Sequence, residues 1–173
     1  MKSIVLDASV ALAWSLDRPT PAYADRVGRL LLSGVRAVVP ALWLLEMANG
    51  FAVAERRRLL TSSEIIEALR HLDVILAQSI EVGTESFSIR TVLGSARAFS
   101  LTAYDAIYLE MALRHKLALA TLDRALRAAA VKAGVELASR MERRGSHKRF
   151  TSPERAINNP PTNFVPPPPV TIP

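Results

Sequence analysis

At four carboxylates in this 173-residue chain a role in a chemical site competes with an ordinary structural one. Asp7 follows the apolar run Ile4-Val5-Leu6 and precedes Ala8-Ser9-Val10-Ala11-Leu12, which sets it at the carboxyl end of a first strand, the edge where open α/β sheets bind ligands. An N-cap on the next helix explains it equally well. Glu46 has Leu42, Trp43, Asn49 and Gly50 as helical neighbours. Burying a carboxylate on such a stripe is costly without compensation, and the alternative is a rim position reaching water. Asp105 has Leu101, Thr102, Tyr108 and Leu109 around it and closes a capping-box pattern with Thr102. Asp123 stands at a second strand-to-helix turn, after Leu117 to Leu122, with an N-cap or an i+4 pair with Arg127 as the competing roles.

As a set they are more specific. Loops after parallel strands share one edge, so Asp7 and Asp123 should meet there, and two helices can deliver Glu46 and Asp105. Carboxylates so gathered repel by about 4 kcal/mol per pair at ~4 Å and an effective dielectric of ~20. Protonation relieves that, and so does a divalent cation. All-oxygen ligands favour Mg²⁺ or Mn²⁺, and such an ion polarises a phosphate and activates water for in-line attack. The pattern therefore reads as a metal-dependent phosphodiesterase. Six of the other acids are assigned to solvated pairs or caps: Asp25 with Arg29, Glu67 and Asp73 around Arg70, Glu110 with Arg114, Glu55 beside Arg56 to Arg58, and Glu64 in a capping box with Thr61.

The elements that must position these groups alternate. Strand-like runs are expected at Lys2–Leu6, Arg36–Val39, Ser79–Val82, Leu117–Ala120 and Val135–Leu137. Helices are expected at Ala8–Leu16, Tyr23–Leu32 with Gly34 as stop, Leu42–Arg58, Thr61 to about Ala77, Phe87–Phe99, Ala103–Lys116 and Arg124–Ala133. Strands separated by helices imply a three-layer α/β/α domain with a short parallel central sheet. Trp14, Trp43, Tyr104 and Tyr108 fall at core-like spacings and read as packing residues.

Composition separates a domain over residues 1–139 from a tail over 140–173. The tail is first basic and then proline-rich, with eight of eleven prolines from Pro153 onward, and is expected to be flexible. It carries Arg140, Arg143, Arg144, Lys148, Arg149 and Arg155 against Glu142 and Glu154, hence +4 of the net +6. That balance favours an anionic partner such as nucleic acid. Arg56 to Arg58, Arg124, Arg127 and the tail arginines are the candidate phosphate contacts. The absence of cysteine excludes disulfides, thiolate metal sites and a cysteine nucleophile. Asp7 interrupts the apolar start too early for a secretory signal, and no run approaches the length of a spanning helix. The expected setting is cytoplasmic, with no membrane.

The stretches Ile4-Val5-Leu6-Asp7-Ala8-Ser9, Leu45-Glu46-Met47-Ala48-Asn49, Leu101 to Leu109 and Ala120 to Leu126 resemble, in order and spacing across residues 2–137, the PIN-domain family and its VapC-type toxins. The resemblance implies a PIN fold and Mg²⁺- or Mn²⁺-dependent endoribonuclease activity, often on tRNA or rRNA. It also implies a homodimer and a cognate VapB-type antitoxin whose C-terminal segment fills the groove. By motif position, Asp7 and Asp105 are the most direct metal ligands, and Glu46 and Asp123 complete the site. Ser9, Asn49 and Thr121 hold the carboxylates or the water. A nuclease of another biology and a non-catalytic RNA-binding PIN module are the competing readings. The tail has no counterpart in the family pattern.

Overall fold

The run Ser3–Leu6 becomes an interior strand of the sheet because it has nowhere else to put Ile4, Val5 and Leu6, all three fully buried. Each such side chain contributes about 1.5–3 kcal/mol relative to exposure. In the computed structural model, which describes residues 2–138, eleven elements follow in order. They are β1 (Ser3–Leu6), α1 (Ala8–Leu16), α2 (Ala22–Leu32), β2 (Arg36–Pro40), α3 (Leu42–Arg56), α4 (Ser62–Ser79), β3 (Ile80–Gly83), α5 (Ile89–Phe99), α6 (Ala103–His115), β4 (Ala118–Ala120) and α7 (Arg124–Lys132). The tail expected over 140–173 lies outside the described residues.

The four strands pair in parallel in the order β3-β2-β1-β4. Helices flank the sheet in a three-layer α/β/α fold, as the alternation implies. The chain steps from β1 to β2 to β3 in one direction and then returns to place β4 on the other side of β1. The order therefore reverses at β1, the topological switch point where open α/β sheets bind ligands. Register sets Leu6 beside Ala120, so the residues after them, Asp7 and Thr121, leave the same edge side by side.

The helices obey their sequence signals. Thr61 accepts from the Glu64 N–H and Glu64 reaches back to the Thr61 N–H, completing the capping box that opens α4. Gly34 takes φ +92°, a conformation that favours glycine, and ends the turn after α2. α3 stops at Arg56 rather than Arg58, because Arg58 is left-handed at φ 56°. The last strand expected at Val135–Leu137 reduces to one parallel bridge, Leu137 to Leu119, with the Leu119 N–H donating to the Glu136 carbonyl. Trp14, Trp43 and Tyr108 are buried as expected, but Tyr104 is not a packing residue: it is 65% exposed. It sits on the outer side of the first turn of α6, while Ala106 in that turn and Tyr108 just beyond it are fully buried on the inner side.

Candidate active site

Asp7 occupies the N-cap position of α1 but makes no side-chain cap. Its carboxylate, 6% exposed, is held by two hydroxyls instead. Ser9 Oγ donates to Asp7 Oδ2, and Thr121 Oγ1 donates to the same oxygen at 2.6 Å. Each hydroxyl also accepts: Ser9 Oγ from the Leu122 N–H at 3.0 Å, and Thr121 Oγ1 from the Asp123 N–H at 3.0 Å. The Asp7 N–H donates to the Ala120 carbonyl at 2.9 Å. The loop after β1 and the loop after β4 are thus sewn together at the switch point with both hydroxyls satisfied.

Glu46 reaches this edge because α3 starts directly after β2 and carries it one turn in. Gly50, one turn further, lets α3 approach α1: a Cβ there would meet Leu12 Cδ2 at 2.5 Å. Glu46 is half-buried, and the Tyr108 hydroxyl of α6 donates to its Oε2. Asp105 lies in the first turn of α6, which precedes β4 and so begins at the carboxyl edge. Thr102 Oγ1 accepts from the Asp105 N–H at 3.1 Å and donates to Asp105 Oδ2 at 2.6 Å.

Three of the carboxylates feel one another. Burial raises the Asp7 carboxyl above its ordinary value; the Ser9 and Thr121 hydroxyls oppose this, and the Asp105 charge adds to it. Burial likewise raises Glu46, against the Tyr108 hydrogen bond and with the charges of Asp7 and Asp105. None of the four acids takes part in an ion pair among the described residues.

Asp123 stands apart. It is exposed, and its Oδ1 caps α7 by accepting from the Leu126 N–H at 2.7 Å. It joins the cluster through its backbone, which donates to Thr121. The i+4 pair with Arg127 does not form. Arg127 donates instead to the Thr121 carbonyl at 3.1 Å and lies over the Tyr23 ring, 4.6 Å from its centre. Arg114 similarly leaves Glu110 for the Phe87 ring, and Glu110 accepts from Ser95. Asn49 is exposed and makes no hydrogen bond to Glu46 among the described residues. That contact belongs to Tyr108, which the spacing marked only as core.

In donor chemistry these residues fit a hard divalent cation: all oxygens, net negative, partly desolvated and, among the described residues, without a basic partner. They are not drawn into a closed ligand shell. Among the described residues no group of three or more His, Asp or Glu could hold an ion as it stands.

Acidic side chains at the carboxyl edge of a four-stranded parallel sheet, at its switch point, define a class of α/β domain whose donors suit a hard divalent ion. The PIN domain family model matches residues 4–132, so the chain belongs to the PIN-domain family. PIN domains are generally metal-dependent nucleases that use divalent ions. Among solved structures, the chain is similar to PAE2754 from Pyrobaculum aerophilum, at 25% identity and a TM-score of 0.55, over 75% of this chain and 84% of that one. It is also similar, at 17% identity and a TM-score of 0.48, to a domain of a functionally unknown protein from Methanocaldococcus jannaschii, over 87% of this chain and 99% of that one. No curated protein matches.

Proposed function

We propose that this chain is the toxin of a type II toxin–antitoxin pair, a divalent-metal-dependent endoribonuclease that hydrolyses phosphodiester bonds of tRNA or rRNA in the cytoplasm. It acts as a homodimer and is silenced by a cognate VapB-type antitoxin. The observation that carries the nuclease reading is the buried Asp7 carboxylate, held by two hydroxyls and coupled to Asp105 and Glu46 with no ion-pair partner among the described residues. The four motif stretches in VapC-like order support the toxin reading.

When bound, Mg²⁺ or Mn²⁺ supplies the missing positive charge, polarises the scissile phosphate and lowers the pKa of a water. Asp7 and Asp105 would be the most direct ligands, with Glu46 and Asp123 completing the site or holding the water. Ser9 and Thr121 both donate to Asp7 Oδ2, which fixes the carboxylate plane and directs Oδ1 to the ligand role. Thr102 does the same for Asp105.

The full chain incubated with total RNA and Mn²⁺ should cut it. EDTA should abolish the cutting, and Asp7→Asn and Asp105→Asn should lose it while keeping the wild-type circular dichroism. Protein that binds RNA without cutting it, with Mn²⁺ supplied, overturns the reading in favour of a binding module. Arrested growth on expression, relieved by a small neighbouring-gene product, tests the toxin role. Unhindered growth with active nuclease assigns the enzyme to another biology.

A further inference from the structure

Tyr108 is fully buried, yet its hydroxyl does not serve the core. It donates to Glu46 Oε2 across 62 residues of sequence, joining α6 to α3. The Ala8 backbone, directly after Asp7, lies against the same hydroxyl. One phenol oxygen therefore touches the carboxylate of Glu46 and the start of the helix that follows Asp7, from the helix that carries Asp105. Ser9 and Thr121 do this work for Asp7 and Thr102 does it for Asp105; Glu46, on a helix interior, has no loop hydroxyl to hold it.

We propose that Tyr108 is the positioning residue for Glu46: its hydroxyl pins Oε2 and so leaves Oε1 to act with the carboxylates of Asp7 and Asp105. This rests on the metal-nuclease reading above. The ring of Tyr108 is packed among apolar neighbours in the core, so the structural part of the residue survives removal of the oxygen alone. A phenylalanine keeps the ring and deletes the pin. Half-buried Glu46 then relaxes toward water, and the site loses one oriented oxygen. Partners that orient a ligand in this way typically carry about 10–100-fold in metal affinity or activity.

The test is a double-mutant cycle on the full chain, reading Mn²⁺ binding by calorimetry and RNA cleavage in parallel. Tyr108→Phe should weaken Mn²⁺ binding and lower kcat by roughly 10-fold or more, with KM for RNA unchanged. In a Glu46→Ala background the same substitution should cost nothing further. Equal Mn²⁺ binding and kcat in wild type and Tyr108→Phe overturn the proposal, and so do losses that simply add in the double variant. Should Tyr108→Phe fail to fold, ultraviolet difference absorbance decides. Saturating Mn²⁺ should perturb the buried phenol band in wild type and leave it unmoved in Glu46→Ala; equal spectra in the two overturn the proposal. A wild-type chain that neither takes up Mn²⁺ nor cuts RNA fails at the nuclease reading instead, a result distinct from either.

Discussion

At the scale of single residues, the cluster gives up stability to keep negative charge out of water. Asp7 illustrates the sign. Its folded-state pKa is raised above the ordinary value near 3.8, with burial as the largest cause. As pH climbs from that value through the raised one, the unfolded chain has already released its proton while the folded chain still holds one. The unfolded state binds fewer protons, so stability falls across this window and stays lower above it. Glu46 contributes with the same sign. In EDTA, the denaturation midpoint of wild type relative to Asp7→Asn should therefore drop between acid and neutral pH. At neutral pH Mn²⁺ should raise the wild-type midpoint and leave that of Asp7→Asn little changed. Parallel pH profiles for the two proteins would contradict this sign. The hydroxyls are expected to matter in the opposite direction. Thr121→Val removes a buried donor to a charged oxygen, at a cost of about 1.5–3 kcal/mol, and should lower RNA cleavage along with stability.

Elements separate what was legible in the sequence from what was not. Local signals were legible: α1 spans Ala8–Leu16 as its pattern implies, and the Thr61–Glu64 box opens α4. The parallel sheet followed from alternation alone. Contacts between distant residues were not. Nothing near Tyr108 in sequence reveals that its oxygen meets Glu46, because core spacing reports where a ring goes and not where a hydroxyl points. The Arg127 pair with Asp123 failed for a similar reason. The distant Tyr23 ring, together with the nearby Thr121 carbonyl, outcompetes an exposed ion pair worth about 0.5 kcal/mol. Two N-caps of like chemistry make an element-scale test. Thr61 caps α4 and Thr102 caps α6, each by accepting an N–H three residues on. Only Thr102 also grips a carboxylate of the candidate site, Asp105. Alanine at either position should cost about 1 kcal/mol in a denaturation curve. Thr61→Ala should cut RNA at the wild-type rate, whereas Thr102→Ala should lose about 10-fold. Equal rates for both would show that the Thr102 hydrogen bond to Asp105 Oδ2 does nothing for the site.

For the whole molecule the difficulty is that an acidic edge must receive a polyanion. Arg56 to Arg58 are poorly placed to help. α3 begins at the carboxyl edge and runs 15 residues away from it, a distance of about 22 Å at ~1.5 Å per residue. Arg127 is engaged by Tyr23 and the Thr121 carbonyl, which leaves Arg124 as the exposed cation beside Asp123. The bridge from Leu137 to Leu119 is parallel, so the backbone at Ala138 runs in the same direction as β4, toward the edge where Thr121 and Asp7 sit. Arg140, Arg143, Arg144, Lys148 and Arg149 come later in the sequence and are the further basic group whose part in phosphate binding can be tested. A full-length variant with these five changed to glutamine should bind RNA more weakly at low salt, with the Asp7→Asn background used to prevent cutting. Its affinity should also depend less on salt, the slope of log affinity against log salt falling by about 0.7 for each single-strand phosphate that is no longer neutralised. An unchanged slope would assign phosphate binding to the folded domain, with Arg124 the next residue to neutralise.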